Sequence, residues 1–194
     1  MDLQPEVSLR RFRELGVQDI DEMLNPYRQR GVFHDLEMGL VGREEFVARL
    51  NEHAGTALTD KEVNEAIMLF LKGVPQYKFD YLEQLREQYK IYILSNTNPY
   101  IMAYAHSPHF LPATGRTLSD YVDKVYASCE MQTMKPDRAI YEQMIADSGM
   151  VPEHTLFIDD STANLEAATA LGLQTLLAVN ATDWRPALSA RLAN

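Results

Sequence analysis

The sequence predicts an α/β protein, in which a small bundle of helices precedes a parallel β-sheet whose strands alternate with helices. Three short apolar runs, over 91–94, 155–158 and 173–179, predict strands that are buried on both faces of the sheet. Helical segments separate these runs, and strands that alternate with helices indicate βαβ units. The sequence therefore predicts a helical part followed by a sheet-containing part.

The helical part is predicted to cover residues 5–75, because every periodic segment before Pro75 reads as a helix. Thr59 and Glu62 form a capping box in front of the last of these helices. Helices with one apolar face each pack together as a small bundle. Their apolar residues are Leu9, Phe12 and Leu15; Ile20, Met23 and Leu24, limited by Pro26; Phe46, Val47 and Leu50; and Val63, Ala66, Ile67, Phe70 and Leu71.

The α/β part is predicted to cover residues 76–194, where the pattern alternates. Gly149 and Gly172 each follow a helical pattern, and glycine is common directly after the last helical residue. The predicted elements are, in order, a helix over 78–88, strands over 91–94 and 124–127, a helix from Pro136 to Gly149, a strand over 155–158, a helix over 163–171, a strand over 173–179 and a helix over 186–192.

Length, charge and cysteine content limit the function classes. A chain of 194 residues suits one domain or a core with an insertion. The net charge of −10 disfavours nucleic-acid binding, and the basic cluster over 10–13 reads as a solvated helix face. The sequence has no apolar run of about 18 residues and no secretory signal, so we expect a cytoplasmic protein with no membrane partner. Cys129 is the single cysteine, which we expect to be structural and buried.

Polar clusters follow two of the predicted strands. Ser95, Asn96, Thr97 and Asn98 come directly after the strand over 91–94. Asp159, Asp160 and Ser161 follow the strand over 155–158, and Lys135 stands between the two clusters at the start of a helix. Ligands of open parallel sheets bind beyond the carboxyl ends of the strands. We therefore expect both clusters and the lysine at one edge of the sheet.

These residue types suit a phosphate site. The Ser95 hydroxyl and the backbone N–H groups after it can donate to phosphate oxygens, and Lys135 can offset negative charge in the transition state. The adjacent Asp159 and Asp160 carboxylates would repel each other unless a cation neutralised them, and Mg²⁺ suits that role. Taken singly, each cluster could be a turn, a helix cap or a surface lysine. Their order, spacing and strand context together favour a site.

The segment over 93–98 resembles the second motif of the haloacid dehalogenase (HAD) superfamily. Residues 135–137 resemble its third motif, and residues 157–164 resemble its fourth. The segment over 5–75 resembles the small helical cap that one subgroup inserts between its first and second motifs. The resemblance covers essentially the whole chain and implies a Rossmann-like core. The most similar subgroup contains sugar-phosphate phosphatases and the amino-terminal phosphatase-like domain of epoxide hydrolases.

The resemblance implies a Mg²⁺-dependent phosphatase that acts on a small phosphorylated metabolite. In such enzymes an aspartate attacks phosphorus, and water then hydrolyses the phosphoaspartate. Carried over to this chain, Ser95 and the backbone of Asn96 would hold the phosphoryl oxygens. Lys135 would neutralise charge and orient the nucleophile. Asp160 would be the direct metal ligand, and Asp159 would act through water or support the site.

The sequence departs from the family pattern at its beginning. The first motif is an apolar strand that ends in the nucleophilic aspartate, and this chain enters the first cap helix almost directly after Met1. Asp2 is preceded by no strand and is not expected to be the nucleophile. In the family that strand lies at the centre of the sheet, between the strands that carry Ser95 and Asp160. We therefore expect Met1 to be an internal methionine of a longer chain, and the chain as given to be inactive.

Another departure is Gln132, which stands where the subgroup often has a glycine. Two other functions remain open. One is a non-catalytic protein that keeps the phosphate site and binds a ligand or partner. The other is a dehalogenase, which uses the same type of nucleophile without a metal; the paired Asp159 and Asp160 favour the metal-dependent reaction over it. No substrate identity and no oligomeric state follow from these patterns.

Overall fold

The structure is a computed structural model that describes residues 2–24, 30–179 and 182–192. It divides into two compact units, one that ends at Gln132 and one that begins at Thr133. The α/β fold class is confirmed, because parallel strands alternate with helices after the helical bundle. The division into a cap and a core near Pro75 stays a prediction. None of the helices in the described segments is both long and apolar enough to cross a lipid bilayer.

The first unit begins with a bundle of helices. In sequence, these helices lie between two strands that pair with each other as an antiparallel ribbon. The ribbon consists of β1 (Asp2–Leu3) and β2 (Leu71–Gly73). The helices between these strands are α1 (Pro5–Glu14), α2 (Ile20–Met23), α3 (Gly31–Glu37), α4 (Arg43–Ala54) and α5 (Asp60–Met68). The predicted bundle is thus present in the described residues, while Pro26, predicted to limit a helix, lies outside them.

Three phenylalanines form the centre of the bundle. Phe12, Phe33 and Phe46 are at most 2% exposed and belong to one apolar cluster. The rings of Phe12 and Phe33 meet edge-to-face at 5.6 Å, and those of Phe33 and Phe46 at 4.9 Å. Such pairs add to the stabilisation that burial of the rings already provides. The apolar stripes predicted from the sequence therefore face one another as expected.

The prediction that only helices precede Pro75 is wrong. Helix α5 ends at Met68, and Leu71 pairs with Leu3 in the ribbon instead of extending the helix. The backbone N–H of Gln4 also donates to the carbonyl of Phe70 at 2.9 Å. Pairing between residues far apart in sequence satisfies backbone groups that local periodicity would assign to a helix. The apolar Phe70 and Leu71 continued the helical spacing although the chain changes conformation there.

The capping box at the start of α5 is confirmed. The Glu62 N–H donates to Thr59 Oγ1 at 3.3 Å, and the Thr59 N–H donates to Glu62 Oε2 at 2.9 Å. We expect Thr59→Ala to lower the free energy of unfolding by about 1 kcal/mol, measured by urea denaturation. The control is Lys61→Ala in the same helical turn, because the Lys61 side chain is 85% exposed. Equal losses in the two variants would contradict the assigned role of the cap.

The rest of the first unit contains a parallel strand pair. In this pair Ser95 lies opposite Ala127, so both strands end at the same edge. The strand predicted over 124–127 is confirmed with its limits, and residues 95–98 lead directly into a helix whose limits were not predicted. The elements are α6 (Gln76–Arg86), β3 (Tyr92–Ser95), α7 (Pro99–Ala105), β4 (Lys124–Ala127) and α8 (Ser128–Met131).

Gln132 ends α8 in a left-handed conformation, with φ of 53°. Residues other than glycine seldom adopt this backbone region, because the side chain crowds the backbone. This conformation explains why a glycine would be suited to the position.

The second unit contains the other parallel strand pair. Asp159 lies opposite Leu177, at the carboxyl ends of the two strands. The helices and strands predicted for this region are confirmed, with limits that differ by a few residues. The elements are α9 (Arg138–Ser148), β5 (Leu156–Asp159), α10 (Thr162–Thr169), β6 (Gln174–Leu177) and α11 (Arg185–Leu192).

Candidate active site

Lys135 and Asp159 form a buried ion pair in the second unit. The Lys135 Nζ lies 2.7 Å from Asp159 Oδ2, and the side chains are 11% and 6% exposed. The other oxygen of Asp159 accepts hydrogen bonds from the Ser161 N–H at 2.9 Å and from Asn164 Nδ2 at 2.8 Å. Hydrogen bonds to an ionised group are stronger than those between neutral groups. The Asp159 carboxylate is therefore fixed from both sides.

The local fold explains this arrangement. Asp159 is the last residue of β5, and α10 begins only three residues later at Thr162. Ser161 and Asn164 therefore lie at the start of a helix, where unpaired N–H groups and the helix dipole favour a carboxylate.

Tyr141 contacts two residues, Asn164 and Phe157, that are themselves neighbours of this ion pair. Its hydroxyl donates to the carbonyl of Asn164 at 3.0 Å, and its ring meets that of Phe157 edge-to-face at 5.6 Å. The Lys135 Nζ lies 5.7 Å from the centre of the Phe157 ring. Burial, and in smaller part the Asp159 carboxylate, raise the pKa of Tyr141 above its ordinary value. The tyrosine is therefore neutral at physiological pH.

Asp160 follows Asp159 directly and is exposed. Among the described residues its carboxylate makes no hydrogen bond or ion pair, whereas both oxygens of Asp159 accept one or more. Magnesium prefers oxygen ligands such as carboxylates. The donor set therefore fits Mg²⁺, with Asp160 as the carboxylate available for direct ligation. Among the residues that the structure describes, no group of three or more His, Cys, Asp or Glu forms a metal site.

Ser95 and Asn96 lie in the first unit, at the carboxyl end of β3. The half-buried Ser95 hydroxyl donates to the carbonyl of Asn96 at 3.3 Å. The loop is tied to α8, because the Thr97 N–H donates to Ser128 Oγ at 2.9 Å and Ser128 Oγ donates to the Thr97 carbonyl at 3.1 Å. Asn98 accepts from two N–H groups of α7 and so caps that helix. The predicted serine thus stands on a loop that is held at both ends.

The structure therefore brings together two of the predicted site residues, Lys135 and Asp159, with Asp160 next to them. Ser95 and Asn96 belong to the other compact unit. The expected meeting of all these groups at one phosphate stays a prediction. Asp2 was not expected to be a nucleophile. Its Oδ1 lies 2.6 Å from Lys78 Nζ in a nearly buried ion pair.

A second polar cluster joins the bundle to the helix after the Ser95 loop. The Tyr100 hydroxyl donates to Asp60 Oδ1 at 2.8 Å, and Arg43 Nε donates to the same oxygen at 3.1 Å. The Arg43 guanidinium lies 4.1 Å from the centre of the Tyr100 ring. Burial, followed by the contact with Asp60, raises the pKa of Tyr100 above its ordinary value. Tyr100 is 1% exposed and packs in the core of the bundle.

Cys129 is half-buried, and burial raises the pKa of its thiol to about 11, with a smaller contribution from Glu130. The thiol is therefore protonated at neutral pH, which suits the structural role expected for it rather than a nucleophilic one.

Three residues that matter for the geometry were not assigned a role from the sequence. Asn164 holds Asp159, and it stands within the fourth motif, which was its only signal. Ser128, the first residue of α8, holds the Ser95 loop, and it belongs to no polar cluster of the sequence. Glu37 is buried on α3. It follows Phe33 by four residues, so it occupies an apolar position of the helix, and that spacing was a visible signal.

Comparisons with known proteins identify a matching family model and a related sequence. A family model described as haloacid dehalogenase-like hydrolase matches residues 7–172. The D-ribitol-5-phosphate phosphatase of Bacteroides thetaiotaomicron is 38% identical over 189 residues, which cover 97% of this chain and 91% of the relative.

Solved structures extend the similarity to the fold. A predicted HAD-like family hydrolase from Porphyromonas gingivalis matches with a TM-score of 0.95 and 47% identity, over 100% of this chain and 93% of that one. A HAD family enzyme from Bacteroides thetaiotaomicron, an Asp-to-Ala variant in complex with magnesium and inorganic phosphate, matches with a TM-score of 0.91 and 34% identity. That match covers 96% of this chain and 92% of the other.

Proposed function

The chain belongs to the haloacid dehalogenase-like hydrolases, and from this premise we propose that it is a magnesium-dependent phosphatase. Its proposed substrate is a small phosphorylated metabolite of the sugar-alcohol type, and the reaction proceeds through a phosphoaspartate. Two of the relatives support this proposal, since one is a D-ribitol-5-phosphate phosphatase and the other was crystallised with magnesium and phosphate.

The observation that carries the proposal is the ion pair between Lys135 and Asp159 next to the exposed Asp160. A lysine held by a buried carboxylate is fixed in position, so it can stabilise a transferring phosphoryl group without reorganising. The second carboxylate is then available for a metal ion. This combination suits phosphoryl transfer better than dehalogenation, which needs no metal.

In the proposed mechanism Asp160 would hold Mg²⁺ directly, and Asp159 would support the site through Lys135. The bound ion would supply positive charge that offsets the phosphoryl oxygens. Ser95 and the Asn96 N–H would donate hydrogen bonds to those oxygens. Lys135 would neutralise charge that develops in the transition state and orient the nucleophile.

The nucleophilic aspartate is proposed to stand on an apolar strand encoded ahead of Met1. Within the described part of the chain, β3 pairs with β4 and β5 pairs with β6. Each of these pairs therefore leaves one edge of a site-bearing strand on which a further strand could be added. The inactivity of the chain as given stays a prediction. Reading the gene in frame upstream of Met1 tests whether the proposed strand is encoded there. A stop codon upstream, with no apolar strand and no aspartate between it and Met1, would contradict the proposal.

The proposed function is tested by phosphate release from D-ribitol 5-phosphate and from p-nitrophenyl phosphate. The 194-residue chain and a form extended by the upstream codons are compared, with Mg²⁺ and with excess EDTA. We expect turnover only from the extended form and only with Mg²⁺. A folded extended form that hydrolyses no member of a panel of phosphate esters would instead support the non-catalytic alternative.

The metal site gives a prediction that does not require turnover. We expect Asp160→Asn to weaken Mg²⁺ binding to the 194-residue chain by at least about 10-fold, because an amide replaces the proposed charged ligand. Titration calorimetry measures this affinity. The control is Asp183→Asn, since Asp183 pairs with Arg185 in a partly exposed ion pair. An unchanged affinity in Asp160→Asn would remove Asp160 from the proposed metal site.

Cytoplasmic location and the absence of nucleic-acid and membrane partners stay predictions.

A further inference from the structure

Glu37 is a buried carboxyl group without a partner. It is the last residue of α3 and is 9% exposed, and it follows the fully buried Leu36. Among the described residues its carboxyl makes no hydrogen bond or ion pair, and burial alone raises its pKa to about 7. The one described side-chain polar atom that is both fully enclosed and unpartnered is Thr97 Oγ1. The Glu37 carboxyl is therefore unpaired but not completely enclosed.

Glu37 belongs to the same compact unit as Ser95. Helix α3 packs against α8, which directly follows β4. Gly39, two residues after Glu37, approaches Cys129 so closely that an added Cβ would lie 1.9 Å from the Cys129 carbonyl oxygen. The charge of Glu37 also contributes to the raised pKa of the Cys129 thiol.

The same short helix holds the Ser95 loop. Ser128, the residue before Cys129, exchanges two hydrogen bonds with the backbone of Thr97. Ser95 itself lies opposite Ala127 in the strand pair. The helix that ends in this unpaired carboxyl thus packs against the short helix that holds the Ser95 loop.

An unpaired buried carboxyl lowers stability, because burial removes water without supplying a replacement hydrogen bond. Residues that break the packing rules in this way are commonly found at functional sites. A phosphate group would be repelled by an ionised carboxylate and offers it few donors. A metal ion would need further acidic or histidine ligands, which the described residues do not group together. A hydroxyl group meets neither objection, because it is uncharged and can donate a hydrogen bond to the carboxyl oxygen.

We propose that Glu37 is a substrate-binding residue whose carboxyl group accepts a hydrogen bond from a hydroxyl of the polyol part of the substrate. This inference rests on the proposed phosphatase function and adds the residue that distinguishes a sugar-alcohol phosphate from a simpler phosphate ester. Under the proposed function, Ser95 and Asn96 would bind the phosphoryl end, which every phosphate ester shares. Glu37 binds the end that differs between substrates.

The test compares binding of D-ribitol 5-phosphate and inorganic phosphate to the 194-residue chain, in the presence of Mg²⁺, by titration calorimetry. The variants are Glu37→Leu, which removes the acceptor, and Glu37→Gln, which keeps a neutral acceptor. We expect Glu37→Leu to weaken D-ribitol 5-phosphate binding by at least about 10-fold, with Glu37→Gln between it and the original protein. Inorganic phosphate should bind all three with affinities within about two-fold of one another. The matched control is Glu44→Leu, at an exposed position of α4.

The outcomes separate the two proposals. If the original protein binds neither ligand, both the proposed function and the role of Glu37 are overturned. If it binds both ligands with equal affinity, the phosphate site stands and the hydroxyl contact is overturned. If Glu37→Leu weakens both ligands alike, the residue supports the fold of the site and does not select the substrate, which also overturns the proposal.

Discussion

Replacing Lys135 with methionine is expected to lower the free energy of unfolding by about 3–5 kcal/mol, because it leaves the Asp159 carboxylate buried without its cation. The ion pair is nearly inaccessible, with side chains 11% and 6% exposed. Urea denaturation measures the loss. The matched control is Lys90→Met, since Lys90 pairs with Asp123 at 3.1 Å but is 76% exposed. That variant should lose less than about 1 kcal/mol.

A double variant separates stability from chemistry. In Lys135→Met/Asp159→Leu both charges are absent, so most of the lost stability should return. Turnover by the extended form should stay about 100- to 1,000-fold below that of the original protein in both variants, because the charge that stabilises the phosphoryl group is missing. If activity returned together with stability in the double variant, the lysine would have a structural role alone.

The second large effect concerns Glu37 and pH. Burial raises the pKa of Glu37 from 4.5 to about 7 in the folded protein, and such a shift corresponds to roughly 3 kcal/mol. Below pH 4.5 the group is protonated in both the folded and the unfolded chain. As the pH rises towards 7, the unfolded chain releases this proton before the folded chain does, so the folded state loses stability. Glu37→Leu should remove this loss.

We therefore expect Glu37→Leu to gain up to roughly 3 kcal/mol relative to the original protein between pH 4 and pH 8. Urea denaturation at several pH values measures this gain, and a difference that does not change with pH would contradict it. No charged neighbour is a cause of the shift. The titratable or charged groups on helices packed against α3 are Asp21 and Glu22 on α2, Arg43, Glu44, Glu45, Arg49, Glu52 and His53 on α4, and Cys129 and Glu130 on α8.

A gain in stability together with weaker D-ribitol 5-phosphate binding would show a compromise between stability and function at this position. Such compromises are common where a binding group must stay unsatisfied until the ligand arrives.

Sequence patterns predicted the elements that depend on local signals. The run over 124–127 is a strand with the predicted limits, and Thr59 and Glu62 form the predicted capping box. The pattern was misleading at Leu71, because its pairing with Leu3 depends on residues 68 positions away. The limits of helix α7 were not predicted, although Asn98 and Pro99 are typical starting residues of a helix.

The candidate site could be predicted where its residues stand at the end of a strand or just before a helix. Asp159 and Lys135 meet because one ends a strand and the other precedes the helix that packs beside it. Asn164 and Ser128 could not be assigned in the same way, because their partners depend on how turns fold around a carboxylate or a backbone loop. Glu37 was passed over because no helix was predicted over 31–37, so its spacing of four residues from Phe33 was not used.

Tyr100 has a mechanical consequence for the bundle. Its ring packs among the bundle side chains and its hydroxyl holds Asp60, while its backbone belongs to the first turn of the helix that follows the Ser95 loop. One residue thus anchors the start of this helix in the core of the bundle. Because core packing permits little independent displacement of a side chain, the position of the Ser95 loop is tied to the packing of the bundle.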